Sequence, residues 1–137
     1  VLKQLRIDLK KAAEYMPWSK DCPGTTANYT GRPSKAAALA LLARVDLMYA
    51  GKGVRPATWQ SGPEFLVSDP SLRAELNTEV MWACAQILNE SAEQGKFEDN
   101  YIDIFKKVCS DETNYYNSEI FWEIPFADGE RPRQLSP

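Results

Sequence analysis

The stretch KAAALALLARVDLMYA, residues 35–50, most constrains what this chain can fold into. Ala and Leu fill it, and both favour helix strongly. Pro33 or Ser34 in front supplies the start signal, as a first-turn proline or an N-cap. Gly51 and Gly53 end it. Its apolar residues run nearly all round the helix, so it belongs in the middle of a domain with cover on both sides. The alanines let neighbouring helices approach closely. Asp46 is the exception inside it, and a buried carboxylate requires a hydrogen-bonding or charged partner. Arg32 and Arg44 are the nearest cations in sequence.

The flanks read as helical too. In residues 2–16, Leu2, Leu5, Leu9, Ala12, Ala13 and Met16 fall on one stripe, with Asp8, Lys10, Lys11 and Glu14 opposite. Pro17 stops that helix. Residues 17–33 are rich in breakers and read as loop, as do residues 51–71, with Pro56, Gly62, Pro63 and Pro70. Residues 72–94 form a second long helix on a stripe of Leu76, Val80, Cys84, Ile87 and Leu88, closed by Gly95. A short helix covers 100–108, with Tyr101, Ile104, Phe105 and Val108 on one face. Residues 119–126 alternate as a strand, with Ile120, Trp122, Ile124 and Phe126 on one side and Phe121 and Glu123 on the other. Phe121 and Trp122 are expected in the core. Pro125 makes this an edge strand or ends it early. The fold class is mainly α, with long loops and a short strand near the C-terminus. The helices at 34–50 and 72–94 suit an antiparallel pair, the unit of tetratricopeptide-like scaffolds.

Composition narrows the chemistry. The 137 residues hold no His, so Ser-His-Asp and Cys-His catalysis and His-containing zinc sites are excluded. Cys22, Cys84 and Cys109 are too few for an all-cysteine zinc site. Cys84 reads as a small apolar residue in its helix stripe. Whether Cys22 pairs with Cys109 stays open at this level. Sixteen Lys and Arg against nineteen Asp and Glu leave a net charge of −3, which argues against a nucleic-acid partner. No run of apolar residues is long enough to span a membrane.

Acidic pairs do not make an enzyme. On a strand, Glu119 and Glu123 stand roughly 13 Å apart at about 3.3 Å per residue. Glycosidase carboxyls lie about 5–5.5 Å or 6.5–9.5 Å apart. Asp99 and Asp103 flank a helix start and read as capping or solvated residues. Tyr101 between them breaks a calcium-loop pattern. Neither a catalytic residue nor a cofactor is expected.

Four stretches, in order, resemble the middle of the SusD/RagB family of nutrient-binding outer-membrane lipoproteins. Ile7-Asp8-Leu9, Ala12-Ala13 and Met16-Pro17 resemble the family's I-x-x-DL-x-x-A-x-x-LP helix. Gly31-Arg32-Pro33-Ser34-Lys35-Ala36-Ala37-Ala38-Leu39-Ala40-Leu41-Leu42-Ala43-Arg44-Val45 is very close to its GR-x-[ST]-K-x-A-A-x-A-L-L-A-R-V segment. Gly95-x-Phe97, with Tyr101 and Phe105, resembles its G-x-[YF]…Y-x-x-[LI]F stretch. Ser118 to Ile124 resembles its [NS]-E-[IV]-I-[FW]-E-[IV] segment. The match runs from about Leu5 to Phe126, and the second motif is the most specific. Departures are Asp46, where the family favours an aromatic, Met81 beside Trp82, where it favours Trp, and Cys84 and Leu88, where it favours alanine.

The resemblance implies a fold and a role. It implies a SusD-like α/α scaffold built on tetratricopeptide-like helices, with residues 1–137 a single segment of a larger domain. It implies a surface-exposed lipoprotein of the Bacteroidetes outer membrane, held by a lipid anchor outside this segment. Its ligand would be an oligosaccharide or another nutrient, and its partner a SusC-like TonB-dependent transporter. It implies binding without catalysis. Sugar sites use flat aromatic faces rimmed by hydrogen-bonding side chains. Trp59 lies beside Gln60 and Ser61, and Tyr115 and Tyr116 lie between Asn114 and Asn117. These three aromatics are the candidate ligand-binding residues, against the alternative that they pack under their own loops. Arg32 is read as a structural residue fixing its loop. The runner-up function is a generic tetratricopeptide-like protein–protein interaction module, which a concave groove lined with polar side chains would favour.

Overall fold

A computed structural model describes residues 1–22, 32–54, 59–90, 99–109 and 120–122. The described chain is mainly helical, with one small antiparallel strand pair. Helix α1 spans Leu2–Tyr15 and α2 spans Lys35–Ala50. Strands β1 (Lys52–Gly53) and β2 (Glu64–Phe65) follow, then α3 over Pro70–Asn89 and α4 over Tyr101–Cys109.

Helix α2 is central because its sequence lets it be. Ser34 is its N-cap, and the Ser34 hydroxyl accepts from the Ala37 N–H at 3.4 Å. The Pro17 carbonyl accepts from the Lys35 N–H at 2.9 Å, which ties the end of α1 to the start of α2. Helices α1 and α3 both pack on α2 and meet each other through side chains. The main core gathers Ala13, Ala38, Leu39, Ala43, Ala83 and Ile87, so alanines from three helices meet around one leucine. Trp18 and Phe121 pack against its margin. Leu9, Leu42 and Val45 form a second cluster between α1 and α2. Ala50, Val67 and Leu76 form a third, where the incoming chain meets α3.

Several expectations are corrected. The α2 helix is not covered all round, because Leu41, Leu47 and Met48 are 41%, 54% and 54% exposed. The α3 seam runs through Leu76, Val80, Ala83 and Ile87, not through Cys84 and Leu88, which are exposed. Alanine at 83 lets α3 come close to the alanines of α2; the bulkier thiol and Leu88 are turned to solvent. Helix α3 also begins earlier than expected. Asp69 caps it by accepting from the Ser71 N–H at 2.9 Å, and Pro70 is its first residue rather than part of the loop.

The loop after α2 carries structure that its breakers hid. Lys52 pairs with Phe65 and Gly53 with Glu64. The Leu66 N–H extends the ladder by donating to the Gly51 carbonyl at 3.0 Å. A β-carbon at position 53 would stand 3.0 Å from the Leu66 side chain, so glycine permits that approach. Lys52 and Arg73 sit over the Phe65 ring at 4.8 and 4.0 Å. Arg73 also donates to the Val67 and Ser68 carbonyls at 2.9 Å, locking the loop onto α3.

The strand expected over 119–126 is not formed by its described residues, since Ile120–Trp122 carry no ladder. Phe121 lies against the main core as expected, whereas Trp122, expected there too, is 46% exposed. Its other residues, Glu119 and Glu123 included, and the helix-closing Gly95 lie outside the described residues.

Candidate functional site

A groove of about 920 Å³ opens between α1 and α3. Its existence follows from the packing. Both helices lean on α2, and the groove is the space left between them. Charged residues then bridge the gap. Arg6 on α1 donates through Nε to Asp46 on α2 and through Nη2 to Glu79 on α3. Lys10, one turn after Arg6, pairs with the other Glu79 oxygen. One ionic chain therefore joins all three helices. Arg6 and Glu79 are largely buried and Asp46 completely so.

This corrects the partner expected for Asp46. Arg32 and Arg44 are both exposed, and the cation that reaches Asp46 is Arg6, forty positions away. Asp46 is still not fully satisfied. Its Oδ2 is buried and accepts no hydrogen bond. Burial pushes its carboxyl up to about 6 from an ordinary 3.8, Glu79 beside it adds to the rise, and Arg6 opposes it. Burial would also raise Glu79, but hydrogen bonds from Lys10 and Arg6 outweigh it and hold Glu79 below its ordinary value. Arg6 stays charged, because its two carboxylate partners outweigh the burial that would lower it.

Above this chain of charges, the groove is lined by Glu14, Lys35, Glu75, Thr78, Trp82 and Gln86, with Ala13 and Ala74 as the small apolar members. Lys35 lies 5.2 Å from the Trp18 ring centroid. Trp82 is 49% exposed. Neither Glu14 nor Glu75 holds an ion pair among the described residues. Sequence reading missed this site, since its residues come from two helices read as scaffold. The available signal was the pairing of Trp82 with Glu75, Glu79 and Gln86 at helical spacing.

The residues singled out earlier are not among those that line the groove in the described structure. Trp59 opens a single helical turn, Trp59–Ser61, and its side chain is outside what is described. Tyr115 and Tyr116 lie outside the described residues. Among those residues no cluster of acidic, thiol or imidazole groups could hold a metal ion. No described helix is long and apolar enough to cross a membrane. Asp103 pairs with Lys106 at 3.0 Å on the surface of α4. Compared with family models, curated proteins and solved structures, the chain matches none.

Proposed function

We propose that the chain is the central segment of a SusD-like, surface-exposed lipoprotein that binds an oligosaccharide or another nutrient and delivers it to a SusC-like TonB-dependent transporter. On this reading α1, α2 and α3 are part of a tetratricopeptide-like scaffold, and no cofactor or catalytic residue is needed. The observation that carries it is the stretch from Gly31 to Val45. Its resemblance to the family segment is the longest and most specific in the chain, and from Lys35 on it forms the helix about which the others pack. Trp59, Tyr115 and Tyr116 are the ligand aromatics of this reading.

The test is a glycan array probed with the full-length protein, with Trp59→Ala alongside. Retention of one glycan class, weakened in the variant, is the expected outcome. Silence across neutral and acidic glycans would sink the proposal. Unchanged binding in the variant would remove Trp59 alone. An upstream signal peptide with a lipidation cysteine, and a neighbouring transporter gene, are expected in the parent reading frame.

A second reading, a tetratricopeptide-like protein–protein interaction module, has one observation in its favour. The α1/α3 groove is lined mostly by polar side chains. Glycan retention weakened by a groove substitution counts against it.

A further inference from the structure

We propose that the groove between α1 and α3 is itself a binding site for a neutral, hydroxyl-rich ligand, an oligosaccharide, with the Trp82 ring as its stacking face. This rests on the glycan-binding reading above and assigns it a site built from residues other than Trp59, Tyr115 and Tyr116.

Charge selects the ligand class. The lining holds as many cations (Arg6, Lys10, Lys35) as anions (Glu14, Glu75, Glu79). A phosphate-rich ligand would meet the Glu14 and Glu75 carboxylates, which hold no ion pair among the described residues. The cations are moreover engaged. Arg6 and Lys10 are held by Asp46 and Glu79, and Lys35 lies over Trp18. What remains unspent are hydrogen-bonding groups, namely the Glu14 and Glu75 carboxylates and the Gln86 amide. Carboxylates accept from hydroxyls, and an amide does both.

Shape and surface agree with that class. A partner helix would have to desolvate the charged ends of Lys10, Glu14, Lys35 and Glu75, whose aliphatic stems with Ala13, Ala74 and Trp82 supply the apolar surface of the lining among the described residues. A sugar brings its own hydroxyls to those groups and presents a flat C–H face to the indole. The groove's volume of about 920 Å³ is within the range of small-ligand sites. The rim is also rigid where it must be, because the Arg6–Glu79 bridge fixes the spacing of α1 and α3.

Affinity electrophoresis of the full-length protein through gels carrying soluble starch, inulin, xyloglucan or galactomannan tests this. One of these is expected to retard the protein. Trp82→Ala should weaken that retardation roughly tenfold, given the usual worth of an aromatic contact. Thr78→Tyr, which fills the groove from an exposed position, should abolish it, and it keeps the assay decisive if Trp82→Ala folds poorly. The wild-type tryptophan emission should shift on adding the retarding glycan, and Trp82→Phe should lose that component. Retardation unchanged in both Trp82→Ala and Thr78→Tyr overturns the groove and leaves the glycan-binding reading standing. No retardation of the wild type by any of the four overturns both.

Discussion

Helix α2 meets its neighbours mainly through alanine and leucine, with Asp46 the charged exception, whereas α1 and α3 are bridged across their groove by charge. The contrast lies within one three-helix unit and explains both its solidity and its opening. Small side chains such as Ala38, Ala43 and Ala83 bring helix axes together and leave no gap. Long side chains such as Arg6, Lys10 and Glu79 span a gap without filling it. The dry seam carries the packing energy. The ionic seam sets a spacing and leaves a groove open between the two helices.

Substitutions on the two seams should therefore differ in size. Leu39 is fully buried where α1, α2 and α3 share a core. Leu39→Ala should cost about 3–4 kcal/mol by urea denaturation of the chain. A loss below about 1 kcal/mol would show that the dry seam is not what holds the helices together.

Breaking the ionic seam at its buried end comes next. Arg6→Ala leaves Asp46 without its cation in a fully buried position. About 2–3 kcal/mol should be lost at neutral pH, at the lower edge of what an orphaned buried charge costs, because Asp46 can take up a proton instead. Adding Asp46→Asn should restore most of the loss, since it removes the uncompensated charge. A double variant no more stable than Arg6→Ala would mean that Arg6 acts through packing alone.

How much of this the sequence shows depends on the range of the interaction. Helix α2 and its Ser34 cap were legible, because composition and capping act within a turn. The need for an Asp46 partner was legible too, but not the partner. Arg6 is chosen by how α1 lies across α2, and no local pattern encodes that angle. The α3 seam was half legible. Leu76 and Val80 fit either continuation, and the close approach of α2 selects Ala83 over Cys84. The β1/β2 pair was hidden because two-residue strands give no period to read. Phe121 and Trp122 were assigned to faces by an alternation that the described backbone there does not follow. The groove was illegible for the same reason as the ionic chain, since it is made of the space between elements.

The two seams should also respond differently to pH. The folded chain holds a proton on Asp46 more tightly than the unfolded chain, because the carboxyl is pushed from 3.8 to about 6. Its contribution therefore falls as pH rises through that window, by on the order of 3 kcal/mol. Glu79 acts in the opposite sense. Its lowered pKa stabilises the fold above the ordinary 4.5 and that share is lost as acid protonates it in the folded state. Stability should peak between about pH 3.8 and 4.5 and decline from there as Asp46 ionises in the folded chain. Asp46→Asn should flatten the decline from pH 5 to 7.5, while Leu39→Ala should lower the whole curve without changing its shape. A wild-type curve that climbs steadily from pH 5 to 7.5 would contradict the Asp46 environment.

The smallest effect belongs to the outer end of the ionic seam. Lys10 pairs with Glu79 but is 49% exposed, so water screens the pair and side-chain ordering offsets much of the attraction. Lys10→Ala should cost less than about 1 kcal/mol, with most of that gone at high salt. A double-variant cycle of Lys10→Ala with Glu79→Gln isolates the pair. Its coupling should be well below that of Arg6 with Asp46, because Asp46 has no access to water and Lys10 has a great deal. Equal couplings would mean that the groove is closed to solvent at its floor and mouth alike, and the separation between a dry seam and an open ionic one would collapse.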